Sequence, residues 1–289
     1  MMIRDTRKLR ILRWLLSGLL LLAAGGWSDS VIVSADAPPN ELKQPNAQSQ
    51  KRLAVIIDDL GNQMKGTDEI LAMPVKLTVA VMPFLPSSEQ DARDAHERGH
   101  DVLIHLPLEP KQGNPKWLGP GAILSNMPDE EVRKKVEEAI DNIPFAVGIN
   151  NHMGSKITGD KRIMSVILDV CRERGLFFVD SKTNYWSVAG DVSSEKGLPE
   201  LHNDIFLDDV NTERHIAGQF HKIEKLLEQR GKCVTIGHVG VKGDKTAKVL
   251  KERIPEFQLK GITFVGISEF ARDQRKDFDF APGSGIKLP

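Results

Sequence analysis

Two carboxylates, Asp58 and Asp59, stand side by side at the end of an apolar run in "RLAVIIDDLG", residues 52–61. Adjacent side chains on a strand point to opposite faces, so the pairing is unexpected where a buried strand stops. The two charges repel each other and call for a counter-cation or a shared proton. Other reactive side chains close apolar runs in the same way. His105 lies near the end of "DVLIHLP", Asn150, Asn151 and His152 follow "FAVGI", and Asp180 follows "LFFV". Asp208 and Asp209 follow "DIFL", and His238 ends "KCVTIGH". Asp oxygens and His nitrogens together suit a catalytic zinc that keeps one position open for water. An Asp after a strand is also an ordinary helix cap or turn former, and that plainer reading is preferred for Asp208 and Asp209. A lone His near a strand end is usually a hydrogen-bonded core residue, but His105, His152 and His238 occupy equivalent ends. His96, His202, His215 and His221 fall on helix or loop patterns and read as surface residues.

The elements that must position these groups alternate along the chain. Strand-like runs cover 53–58, 76–83, 101–107, 145–151, 176–181, 204–209, 232–238 and 262–268. Helical periodicity is clearest over 87–98, 128–142, 161–174, 212–230 and 244–252. Continuous apolar strands separated by helices indicate a parallel sheet buried on both faces. Seven or eight such units predict a closed or nearly closed (β/α) barrel, with an open doubly wound sheet as the alternative. In a barrel all C-terminal strand ends meet at one rim, where active sites are built. The carboxylates, imidazoles and carboxamides named above would then surround one pocket.

The composition is globular: 289 residues, 40% hydrophobic and 27% charged, with net charge −1. A chain without a basic excess or a recognition motif is not expected to bind nucleic acid. Its N-terminus differs from the rest. "MMIRDTRKLRILR" is basic, "WLLSGLLLLAAGGW" is apolar, and "VSA" before Asp36 has a small-x-small pattern. Residues 1–35 therefore read as a signal peptide cleaved after Ala35, with an uncleaved inner-membrane anchor as the alternative. Either places the body outside the cytoplasm, in the periplasm of a bacterium with two membranes, and limits membrane contact to this segment. Residues 36–50 form a polar linker, 51–270 the barrel, and 271–289 a tail without periodicity. Cys171 and Cys233 lie in apolar patterns and are expected to be buried free thiols rather than a disulfide.

Taken in order, "IIDDLG", "ERGHDVLIHLPLEP", "INNHMGS", "FFVDSKT" and "TIGHVG" resemble the motifs of the divergent polysaccharide deacetylase family of exported bacterial proteins. The resemblance covers about residues 52–270, and five motifs at successive strand ends make it specific. It implies a distorted (β/α) barrel of the deacetylase type and metal-dependent removal of N-acetyl or O-acetyl groups from a glycan. It also implies roles for residues: Asp59 and His105 as metal ligands, Asp58 as catalytic base and His238 as general acid. The family's second metal His aligns with Glu109, so the third donor is either Glu109 or His152. The usual Arg-containing third motif is absent, with "NNHMGS" in its region. Asn150 or Asn151 would hydrogen-bond substrate or metal-bound oxygen, Asp180 would orient His238 or bind a sugar hydroxyl, and Tyr185 and Trp186 would either stack on a sugar ring or pack as ordinary loop residues. The implied cofactor is a divalent metal, zinc above all, and the partner is peptidoglycan or an exported polysaccharide. A module of another class, binding glycan or regulating the envelope without turnover, would keep the same pocket.

Overall fold

The computed structural model describes residues 50–276. The expected signal peptide, nearly all of the linker, and the tail beyond Lys276 lie outside the described residues. Among the described residues there are nine strands and eight α-helices, alternating except where β7 follows β6 directly. The strands are β1 (Arg52–Leu60), β2 (Thr78–Val81), β3 (Asp101–Leu108), β4 (Ala146–Met153) and β5 (Phe177–Asp180). They continue as β6 (Leu201–His202), β7 (Ile205–Phe206), β8 (Lys232–His238) and β9 (Thr263–Val265). The helices are α1 (Thr67–Leu71), α2 (Ser88–Glu97), α3 (Asp129–Asn142), α4 (Lys161–Glu173), α5 (Ala189–Glu195), α6 (Glu213–Arg230), α7 (Gly243–Leu259) and α8 (Ile267–Lys276).

Every pairing in the sheet is parallel, in the order β6-β5-β4-β3-β2-β1-β8-β7, with β9 added to β1. The two ends of this order are consecutive pieces of one segment. β6 pairs with β5 and β7 with β8, so residues 201–206 bridge the gap and curl the sheet into a distorted barrel. The bridge is weak because each piece is two residues long. The single strand expected over 204–209 breaks here: Asn203 N turns to Asp180 O while Asp204 N turns to Val234 O. Only the (β/α) barrel reading survives; the open doubly wound sheet does not.

Side-chain alternation separates two cores. Ala54 and Ile56 of β1, Leu103 of β3, Val179 of β5, and Val234 and Ile236 of β8 fill the barrel interior. Leu53, Val55 and Ile57, with Ile104, Phe178 and Cys233, face outward against the helices. Ile267, Phe270 and Ala271 of α8 join the interior cluster next to Val265 of β9. Helix α8 therefore continues six residues, 271–276, into the segment expected to be an unpatterned tail. Helix α7 likewise runs through Pro255 to Leu259, beyond the end expected at residue 252. Cys171 and Cys233 are buried and free.

The loop after β1 meets the start of α7 at a contact that allows no side chain. A Cβ on Gly243 would lie 1.8 Å from Lys65 O, although the Gly243 backbone is helical and open to any residue. Gly218, inside α6, has nothing within 4 Å of its Cβ position. Gly243→Ala is therefore expected to lower unfolding stability by at least about 1–3 kcal/mol, the usual cost of overpacking. Gly218→Ala should raise it by about 0.5–1 kcal/mol through helix propensity. Denaturant titration of both variants checks the pair.

Candidate metal centre

The interior face delivers the site. On β1, Asp58 follows Ala54 and Ile56 inward, and it pairs in register with His238 of β8, which follows Val234 and Ile236. Alternation would send Asp59 outward. Instead its backbone is left-handed, with φ 72°, and the β1–β2 register shifts between Ile57 and Leu60. A non-glycine residue held there costs of order 1–3 kcal/mol and persists only where its surroundings impose it. Gly61 completes the turn at φ 120°, its N–H donating to Asp91 Oδ2 at 2.8 Å, and a Cβ there would lie 2.8 Å from Met82 O. Both acids consequently line one pocket of about 290 Å³ at the C-terminal rim, with His105, His152 and His238.

The hydrogen-bond chain behind the pocket determines which nitrogen of each imidazole is free. The ionised Asp58 carboxylate only accepts, so Asn150 Nδ2 donates to its Oδ1 at 2.8 Å. That turns Asn150 Oδ1 toward His105 Nδ1, 2.8 Å away, which must carry the proton. His105 Nε2 is left as a lone pair facing the pocket. His152 Nε2 lies 3.0 Å from Trp117 O, also an acceptor only, so His152 Nδ1 presents its lone pair as well. The two nitrogens face each other at 3.1 Å. Asp59 Oδ1 lies 3.3 Å from His105 Nε2 and 3.1 Å from His152 Nδ1, yet this buried oxygen has no well-directed hydrogen bond.

Three donor atoms with outward lone pairs thus stand 3.1–3.3 Å apart. Zinc–ligand bonds of about 2.0–2.2 Å in a tetrahedron place donors about 3.4 Å apart. Asp59, His105 and His152 fit a divalent cation, and such proximity of lone pairs is otherwise repulsive. When a proton substitutes for the cation, burial works against a charged His105, but Asp58 and Asp59 outweigh it and raise its pKa to about 9. Burial would raise Asp59, but His105 and His152 hold it well below the usual carboxylate range. Asp58 is raised, because burial exceeds the opposing pull of the imidazoles.

His238 sits across the pocket. Its Nδ1–H donates to Asp208 Oδ1 at 2.7 Å, which leaves Nε2 as the reactive nitrogen. Asp208 is fully buried and also accepts from His238 N at 2.8 Å and from Thr246 Oγ1 at 2.7 Å. Burial opposes the charged forms of both partners, but their contact wins: His238 is raised and Asp208 lowered. Phe206 stacks on the imidazole, 6.1 Å between centroids and 15° from parallel.

Several expected residues lie elsewhere. Glu109 is engaged outside the cluster, by Lys156 Nζ at 2.7 Å and Ser125 N at 2.6 Å, and these neighbours lower its pKa to about 2 against its slight burial. His152 takes the third donor place. Asn150 is fully buried between Asp58 and His105, so it organises the site rather than touching substrate. Asn151 lines the pocket, but its amide is committed to Met153 O, Thr183 Oγ1 and Ser181 N. Asp180 shares the outward parity of Phe178; its Oδ1 accepts from Lys182 N at 2.8 Å, making it a turn former rather than the partner of His238. Asp208 has that role, against the cap reading. Its signal was the inward parity of Phe206 and Asp208. Trp186 and Tyr185 are exposed on the β5–α5 loop and do not line the pocket.

Fold and site together define a barrel of the deacetylase type. The chain belongs to the divergent polysaccharide deacetylase family, whose model matches residues 55–271. It is 32% identical over 235 residues to the uncharacterized protein YibQ of Escherichia coli, covering 81% of this chain and 72% of that one. An uncharacterized Haemophilus influenzae protein is 32% identical over 227 residues, covering 78% of this chain and 79% of the other. The same fold is seen in the crystal structure of the uncharacterized protein ATU2773 from Agrobacterium tumefaciens, with TM-score 0.71 and 22% identity over 76% of this chain and 89% of that one.

The donor geometry predicts the outcome of a ligand series. Asp59→Ala, His105→Ala and His152→Ala are each expected to abolish stoichiometric zinc binding, whereas Glu109→Gln retains it. Asn150→Leu should weaken binding by about 10–100-fold, as loss of an orienting partner does. Equilibrium dialysis with metal analysis distinguishes these results.

Proposed function

We propose that the protein is an exported metal-dependent hydrolase that removes N-acetyl or O-acetyl groups from a cell-envelope polysaccharide. The observation that carries this is the convergence of the Asp59, His105 and His152 lone pairs between a buried base and an oriented acid. Family membership supports the glycan substrate. The basic and apolar N-terminus supports export to the periplasm, with residues 1–35 as signal or anchor.

Asp59, His105 and His152 would hold the divalent ion, zinc being the best match to one oxygen and two imidazole donors. Its chemistry when bound is to acidify water and polarise a carbonyl. Asp58 accepts the proton of the attacking water. Its raised pKa makes it a stronger base, and Asn150 keeps its Oδ1 oriented. His238 donates from Nε2 to the departing nitrogen or oxygen. Asp208 holds the opposite ring nitrogen and keeps the imidazole protonated above its ordinary range.

Acetate release from N-acetylated glycan fragments tests the reading. Asp58→Asn is expected to reduce kcat by about 10²–10⁴-fold, with zinc retained. Metal and glycan binding without any acetate release would instead identify a binding or regulatory module. The acid's role gives a separate pH prediction. His238 must be protonated, and Asp208 raises its pKa, so activity falls as pH rises through that value. Asp208→Asn removes the support and should move the alkaline limb of kcat/KM to lower pH.

A further inference from the structure

One charge in the rim pocket is unused by this chemistry. Lys242 is the only lysine or arginine lining it among the described residues. It ends a 3-10 turn, Gly240–Lys242, between β8 and α7. The turn is pinned on two sides: Gly240 N donates to Lys65 O at 2.9 Å, and Val241 O accepts from Asn211 Nδ2 at 3.3 Å. The tight Gly243–Lys65 contact fixes the next residue.

Among the described residues the lysine side chain has no hydrogen-bond partner. The one acid within 4.0 Å among the described residues is Asp208, whose Oδ1 lies 3.9 Å from Nζ, beyond hydrogen-bond reach. Both Asp208 oxygens already accept from His238 or Thr246 at 2.7–2.8 Å. His238 Nδ1 approaches the same Oδ1 at 2.7 Å, so the ammonium can be no more than 6.6 Å from that nitrogen. The acids lining the pocket are otherwise engaged: Asp58 with Asn150, Asp59 in the metal cluster, and Asp209 with His215 Nε2 at 2.6 Å. An anionic group entering beside His238 would meet Lys242 as the one lysine or arginine lining the pocket among the described residues.

We propose that Lys242 reads a carboxylate on the substrate, close to the acetylated position, so that the site selects acidic over neutral acetylated glycans. This rests on the glycan-hydrolase reading of the pocket. The carboxylate has two chemical sources: a lactyl ether on the acetylated sugar itself, or a uronic acid beside it in the chain. An ammonium makes the same charge-assisted hydrogen bond to either.

Three probes test the proposal on the full chain: a peptidoglycan disaccharide containing N-acetylmuramic acid, a hyaluronan oligosaccharide, and a neutral chitin oligomer. At least one acidic probe is expected to exceed the chitin oligomer by about tenfold in kcat/KM, the effect of one charge-assisted hydrogen bond. Which probe does so identifies the carboxylate source. Lys242→Gln should remove the preference, Lys242→Glu reverse it and Lys242→Arg keep it. A lysine that only tuned the His238–Asp208 pair would shift the pH profile on all three probes and leave their ratio unchanged. That result overturns the proposal, as does a wild-type protein that turns over neither acidic probe faster than the chitin oligomer it also deacetylates. Calorimetric binding to Asp58→Asn, alone and combined with Lys242→Gln, is independent of turnover. If acidic probes bind there through Lys242 while the wild-type protein releases no acetate from any probe, the proposal stands and the hydrolase reading fails. If the acidic probes show neither turnover nor Lys242-dependent binding, the proposal fails.

Discussion

A buried carboxylate that can only accept hydrogen bonds organises this molecule's reactive end. Asp58 requires a donor, and Asn150 supplies its amide nitrogen. The carboxamide then has only its oxygen left for His105, which assigns the ring proton to Nδ1 and points the Nε2 lone pair at Asp59. One desolvated charge thus determines, through Asn150, the state of His105, which does not hydrogen-bond it. His152 is oriented by the same logic from the other side, with the Trp117 carbonyl as the acceptor. Such outer partners raise the basicity of metal-binding imidazoles as well as fixing their direction.

The opposite wall follows a parallel design with another outcome. Asp208 is as buried as Asp58, yet it is surrounded by donors, and its pKa falls while that of Asp58 rises. Two interior carboxylates, one starved of donors and one supplied with three, separate into a proton acceptor and a support for a proton donor. Environments that drive paired titratable groups apart are how one pocket carries both acid and base. The barrel brings these walls together because β1 and β8 are neighbours, with Asp58 beside His238 in register.

Much of this was visible in the pattern of residues. Strand-like runs with polar ends predict the parallel barrel and the single rim. Period-2 alternation assigns Asp58, His105, His152 and His238 to the interior, and applied to Phe206–Asp208 and Phe178–Asp180 it separates the true partner of His238 from a turn former. Exposed groups were less legible. Glu109 aligned with an expected ligand position, but nothing local announces that Lys156 and the Ser125 N–H would claim it. The helical extensions were missed for different reasons: Pro255 normally ends a helix, and the strand pattern over 262–268 overlaps Ile267, whose helical spacing to Phe270 and Ala271 is the local signal of α8.

By itself the sequence determined which side chains could do chemistry and on which strand ends they lie, since both follow from composition and a two-residue repeat. Tertiary structure decided what that repeat cannot express. Asp59 belongs on the outside by alternation, and only a left-handed backbone at φ 72° turns it into the pocket beside Asp58. The choice of His152 over Glu109 is equally tertiary, because β3 and β4 pair in register and place His105 beside Asn150, with His152 two residues on along the same face. A local sequence records neither a register nor a strained dihedral, because both are imposed by packing from strands far away in the chain.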